Sequence, residues 1–284
     1  MMKNIFSMFI VAIMATMNVN AQDDVQLYFT KNQLPNLIKC LPAPPAFDSP
    51  EFANDMMRYV WGKQQRLNPE RAKIAKGDAI WDPIDSLFHQ FAVPFGLETS
   101  AEDTPEIYKL LTTAIKTTDQ MRVEPKAFYH RQRPFERFED KMLTDEEDEL
   151  RGEGSYPSGH TMRGWTCALL MAEIAPEQAD TIFARGWMYG ESRVIVGAHW
   201  QSDVDASRVA ASIGYAALHG SAEFREQMAK AQQEYQAKKG TVVGVQSASI
   251  IEHPATRAYR VNGTPATSNS RGIIIENNQK VMKK

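Results

Sequence analysis

The sequence predicts an all-α fold, and three observations carry that expectation. Apolar residues recur at intervals of three and four, the period of one helix face. Pro or Ser followed by an acidic residue precedes several of these runs, the usual marks of a helix start. Strand-like alternation is scarce before about residue 240.

The first segment, MMKNIFSMFIVAIMATMNVNAQ, is set apart from the rest. Lys3 is a short positive region, Ile5 to Met17 is an apolar stretch, and Val19-Asn20-Ala21 supplies small residues. This is the layout of a signal peptide over 1–21, cleaved after Ala21. It is too short and wrongly flanked for a transmembrane helix. The chain beyond it is long enough for one large domain.

Leu34 to Pro50 is Pro-rich and reads as extended. Ser49-Pro50-Glu51 then opens a helix whose apolar positions are Phe52, Met56 and Val60. Thr104-Pro105-Glu106 opens another, continued by Ile107, Leu110, Leu111 and Ile115. Glu136 to Glu153 is charged and reads as a solvated loop with one helical turn. Met162, Trp165, Leu169 and Leu170 mark a helix that Ala175-Pro176-Glu177 ends, and Ile182, Phe183 and Trp187 lie on the next. Val204, Val209 and Ile213 suggest a further helix, and Ser221-Ala222-Glu223 starts a largely polar one running to about Lys238. The expected organisation is therefore a signal peptide at 1–21, a helical domain at 22–239 and a C-terminal extension at 240–284. That extension is rich in Thr, Ser, Asn and Gly and has short β-branched runs at Val242-Val243 and Ile273–Ile275.

The formal net charge of −3 does not favour nucleic acid as a partner. No segment after the leader reaches membrane-spanning length without charges. Two cysteines, Cys40 and Cys167, could form one disulfide in an exported chain or remain two thiols.

Three segments carry residues suited to holding and attacking an anion. In Gly154-Ser155-Tyr156-Pro157-Ser158-Gly159-His160-Thr161, Ser158 and Gly159 stand at a helix start. Backbone N–H groups there, with the Ser158 hydroxyl, suit an anion, and His160 would stand beside it. In Ser192-Arg193-Val194-Ile195-Val196-Gly197-Ala198-His199-Trp200-Gln201-Ser202-Asp203, His199 and Asp203 are four apart. On a helix that puts them within reach of each other. A carboxylate on one ring nitrogen fixes the tautomer and leaves the other nitrogen free to attack. In Lys126-Ala127-Phe128-Tyr129-His130-Arg131-Gln132-Arg133-Pro134, Lys126 and Arg133 are two helical turns apart. With Arg193 they make three fixed cations, which phosphoryl transfer needs because charge spreads over three equatorial oxygens. Each segment alone has a bland reading: a solvated basic face, a His–Asp surface pair, a capping turn. Their joint occurrence in this order is the argument.

The combination Lys-x6-Arg-Pro, Pro-Ser-Gly-His and Ser-Arg-x5-His-x3-Asp resembles the phosphatase pattern of the PAP2 superfamily. The wider wording around it is most similar to bacterial class A non-specific acid phosphatases, from about Leu41 to about Lys238. The resemblance implies a helical bundle of the acid phosphatase and vanadium haloperoxidase type. It also implies a periplasmic or secreted acid phosphatase of broad specificity that uses no metal or cofactor and is often a homo-oligomer. Phosphotransfer to alcohols is a further expectation, because any hydroxyl could replace water on a phosphohistidine. On matching positions, His199 is the implied nucleophile, Asp203 its orienting partner and His160 the general acid and base. Lys126, Arg133, Ser158, Gly159 and Arg193 are the implied phosphate-binding residues. In the resembling class a Cys often stands at the position of Val196, so any disulfide here is this chain's own. Two other readings remain open at this stage, a vanadium-dependent haloperoxidase using the same pocket and a non-catalytic phosphate-binding protein.

Overall fold

The computed structural model describes residues 26–240 and, beyond them, three short strands of the C-terminal segment. The signal peptide expected at 1–21 lies outside the described residues, as does Val242-Val243. The helices are α1 (Leu37–Cys40), α2 (Phe52–Gln65), α3 (Pro69–Gly77), α4 (Asp85–Phe95), α5 (Pro105–Asp119), α6 (Val123–Tyr129), α7 (Pro134–Phe138), α8 (Glu147–Leu150), α9 (Gly159–Ile174), α10 (Ala179–Val196), α11 (Gln201–Leu218) and α12 (Ala222–Lys238). The domain is all-α, as expected. The strands β1 (Tyr259–Arg260), β2 (Gly272–Glu276) and β3 (Gln279–Lys283) form an antiparallel sheet in sequence order, with Ile274 opposite Val281.

Helix α9 is the centre of the bundle. It packs on α10, α11, α5, α4 and α12. Its buried residues, among them Met162, Cys167, Ala168, Leu170, Met171 and Ile174, lie around most of its circumference, as a helix surrounded by others requires. The main core adds Phe88, Phe91 and Phe95 from α4, Leu110 and Leu111 from α5, and Phe224 from α12. Each such side chain stabilises the fold by about 1.5–3 kcal/mol. A separate aromatic cluster forms where α2 meets the start of α11. Trp200 packs edge-on against Phe52 at 4.8 Å, with Tyr59 in the same group.

Several starts match the sequence marks. Thr104 precedes α5 with Pro105 at its first turn, and Ser158 and Ser221 accept backbone hydrogen bonds at the starts of α9 and α12. Helices α3 and α4 are absent from the periodicity reading above. Asn68-Pro69-Glu70 nevertheless follows the same grammar as Thr104-Pro105-Glu106, and the Asn68 side chain accepts from the Glu70 and Arg71 amides.

Some expectations are corrected. The buried face of α2 is Phe52, Asp55, Tyr59 and Gly62. Val60 is exposed, because a stripe read at fixed steps of four drifts off a helix of 3.6 residues per turn. Trp187 and Val209 are exposed as well. The optional disulfide is absent. Cys40 is an exposed free thiol and Cys167 a buried one. Lys126 and Arg133 do not share a helix. His130 takes a left-handed conformation (φ 41°) that ends α6, and Arg133 precedes Pro134 at the start of α7.

The α9–α10 crossing depends on Gly164. A Cβ there would stand 2.3 Å from Tyr189 Cδ1, on a ring that is itself buried. Gly164→Val is expected to cost about 3 kcal/mol through overpacking and to lower Tm by roughly 6–12 °C, measured by thermal unfolding followed by circular dichroism.

Candidate active site

The site is assembled where α10 ends and α11 begins. Gly197 closes α10 with φ 89°, a conformation open to glycine, and its N–H donates to the Arg193 and Val194 carbonyls. His199 follows in the short connection rather than on a helix. Trp200 is then anchored by its aromatic cluster and by its indole N–H, which donates to the Gln132 carbonyl at 2.8 Å. Asp203, in the first turn of α11, accepts from the Trp200 amide at 2.9 Å. His199 and Asp203 thus approach because a turn folds onto a helix start, not because they share a helix face. His199 Nδ1 lies 3.5 Å from Asp203 Oδ2, longer than a normal hydrogen bond.

A pocket of about 490 Å³ opens over this turn, and Lys126, Arg133, Gly159, His160 and His199 all line it. Arg133 Nη1 donates to His199 Nε2 at 3.1 Å and to the Ala198 carbonyl at 3.0 Å. A guanidinium has no acceptor. His199 Nε2 must therefore present its lone pair, and the ring proton of neutral His199 sits on Nδ1. Lys126 Nζ donates to the Gly154 carbonyl at 2.6 Å. Arg193 and Ser158 are fully buried and do not line the pocket, and the Ser158 hydroxyl oxygen accepts from the Thr161 amide and hydroxyl. His160 Nε2 is 3.0 Å from the Ala79 carbonyl. A carbonyl only accepts, so Nε2 carries the proton and Nδ1 is the free nitrogen of neutral His160.

Charge dominates this pocket. The His199 pKa is held well below the usual imidazole value, first by burial and then by Arg133, Lys126 and Arg193. His160 is lowered in the same way by burial, with Arg193 next. Lys126 is pulled down to about 7, again chiefly by burial, with Arg133 adding to the effect and Glu153 opposing it.

The charged loop supplies counterions that the sequence patterns do not contain. Glu153 lies 3.3 Å from Arg133, 3.4 Å from Lys126 and 3.7 Å from Arg122. Glu146 lies 3.1 Å from Arg193. Sequence reading placed both glutamates in a solvated loop, since nothing local shows that this loop folds over three buried cations. Trp81, also on the pocket wall, packs against His160 at 4.7 Å between ring centroids. Arg131 was visible in the basic segment without a role. It is buried and bonds Asp203 Oδ1 at 2.6 Å.

Residues 108–225 match the PAP2 superfamily. A non-specific acid phosphatase of Providencia stuartii is 42% identical over 74% of this chain and 85% of its own length. A non-specific acid phosphatase of Salmonella typhimurium is 34% identical over 82% of this chain and 93% of its own. An acid phosphatase of Zymomonas mobilis is 36% identical over 68% of this chain and 73% of its own. The chain belongs to the PAP2 superfamily. Among the described residues no helix is long and apolar enough to cross a membrane.

Lys126 makes one prediction. An anionic ligand favours its charged form, so affinity for the ligand should fall as pH rises through about 7 in the free protein. Lys126→Arg keeps the charge at all pH values. It is expected to move that alkaline decline of phosphate binding upward by at least one pH unit, measured by calorimetric titration with inorganic phosphate.

Proposed function

We propose that this protein is a secreted acid phosphatase that hydrolyses a broad range of phosphate monoesters through a phosphohistidine on His199. The observation that carries this reading is the lone pair on His199 Nε2, fixed by Arg133 in a pocket that Lys126 and Arg133 line. The relatives named acid phosphatases support the same activity.

Lys126, Arg133 and Arg193, with the Ser158 hydroxyl and the Gly159 backbone, take the phosphoryl oxygens. His199 Nε2 attacks phosphorus, and the phosphorus–ester oxygen bond breaks. His160 gives its proton to the leaving alcohol oxygen. Water then attacks the phosphohistidine and loses a proton to His160. The P–N bond breaks, neutral Nε2 is restored and inorganic phosphate leaves. An alcohol in place of water gives phosphotransfer.

The lowered His199 pKa serves acid operation, because the nucleophile stays unprotonated where a free imidazole would be charged. His160 needs the opposite state to act as acid, yet burial and Arg193 lower it too. The substrate supplies the difference. Its phosphoryl dianion on the cations offsets their push on His160 and so favours the charged, proton-donating form. Asp203 stabilises the Nδ1 proton throughout. In this reading residues 1–21 direct export and are removed, and the enzyme works outside the cytoplasm as a homo-oligomer.

His199→Ala is expected to abolish turnover of a chromogenic phosphomonoester and to remove the acid-labile phosphoenzyme trapped by rapid quench. Wild-type turnover in that variant would overturn the mechanism. His160→Ala should lose about 10²–10⁴-fold in kcat with an alkyl phosphate and far less with a nitrophenyl phosphate, whose leaving group needs little protonation. Equal losses with both substrates would remove His160 from the acid role. A haloperoxidase would need the same cations, and bromide oxidation by peroxide with added vanadate tests it.

A further inference from the structure

Asp203 is itself held by residues that the three motifs leave unspecified. Its two carboxylate oxygens each have a buried donor: Oδ1 accepts from Arg131 Nη1 at 2.6 Å, and Oδ2 accepts from the Trp200 amide at 2.9 Å. An Asp carboxylate turns freely about its last torsion unless both oxygens are engaged. Here both are. Arg131 does not line the pocket. Its other terminal nitrogen donates to Asp55 Oδ2 at 2.8 Å, and Nη1 also donates to Ser202 Oγ at 2.7 Å. Asp55 comes from α2. It accepts from the Ser202 amide at 2.7 Å and from the Ser202 hydroxyl at 2.6 Å. The Arg131 guanidinium lies 5.7 Å from the Trp200 and Phe47 rings. Side-chain exposure is 4% for Arg131, 1% for Asp55 and 0% for Asp203.

We propose that Asp55 and Arg131 are positioning residues for the nucleophile, holding the Asp203 carboxylate with Oδ2 toward His199 Nδ1. The proposal rests on the phosphohistidine reading of His199. Two carboxylates share one guanidinium, so negative charge is left over beside His199 Nδ1. That surplus favours a proton on Nδ1 and the lone pair on Nε2. With Asp55 made neutral, Arg131 is left to neutralise Asp203 alone, and the imidazole becomes a poorer nucleophile. With Arg131 shortened, the carboxylate loses the fork that sets its plane. A tie that served only to join α2 to α11 would change stability and leave the chemistry of His199 alone.

The test uses the full-length enzyme with p-nitrophenyl phosphate and two inhibitors. Inorganic phosphate needs only the cations, whereas vanadate takes the Nε2 lone pair as a fifth ligand. Asp55→Asn keeps the side chain's shape. It is expected to lower kcat roughly 10–100-fold, as loss of an outer partner of a functional group does, with KM within about threefold of wild type. Vanadate inhibition should weaken by a similar factor, and phosphate inhibition should change less than about threefold on the same grounds. Wild-type kcat and vanadate inhibition, or equal weakening of both inhibitors, overturns the proposal. Arg131→Lys is read by the same measurements and decides the matter if Asp55→Asn does not fold. His199→Ala in the same series separates the two ideas. Activity in that variant removes the nucleophile reading, whereas a dead His199→Ala beside fully active Asp55→Asn and Arg131→Lys removes only the positioning role.

Discussion

Three cations buried around one imidazole are the constraint on which the rest of this structure depends. Lys126, Arg133 and Arg193 are each almost wholly out of water, and an isolated buried charge is costly by several kcal/mol. The protein meets that cost twice over. Carboxylates from the loop between α7 and α9 stand on the cations, Glu153 on Arg133 and Lys126, and Glu146 on Arg193. Carbonyls of the tight turns do the rest, Gly154 for Lys126 and Ala198 and Glu153 for Arg133. In the proposed reaction a phosphoryl group adds further negative charge beside the same cations.

The same cations set the state of the histidines. Their field and the loss of water keep His199 unprotonated. Arg133 then directs its lone pair, because a group that can only donate must meet an acceptor. The Ala79 carbonyl does the converse for His160, because it can only accept and so leaves the proton on Nε2. One pocket therefore holds two imidazoles of opposite tautomer without any difference in their sequence neighbourhoods that would show it.

The scaffold explains why these contacts hold their places. Helix α9 is packed on all sides, and its first turn carries Ser158 to His160. Helix α10 is drawn against it at Gly164 and delivers Arg193 and the Gly197 turn. Trp200, the residue after His199, is held in an aromatic cluster shared with α2. The functional side chains are thus borne on helix starts and tight turns whose backbones are fixed by core packing.

Helices α5, α9 and α12 and five residues of the pocket were readable from the sequence, because caps, periodic apolar positions and chemically matched spacing are local properties. Lys126, Arg133, Gly159, His160 and His199 were each named from spacing, and all of them line one pocket. Local reading also misled: it put His199 and Asp203 on one helix and Lys126 and Arg133 on another, since four- and seven-residue separations look the same in a turn as on a helix face. The roles of Glu146, Glu153, Arg131 and Asp55 were beyond it. The sequence by itself determined the helical class and the chemical kinds of residue in the site. Only the tertiary structure decided which carboxylate faces which cation, because charges distant along the chain become partners only when folding removes the water between them.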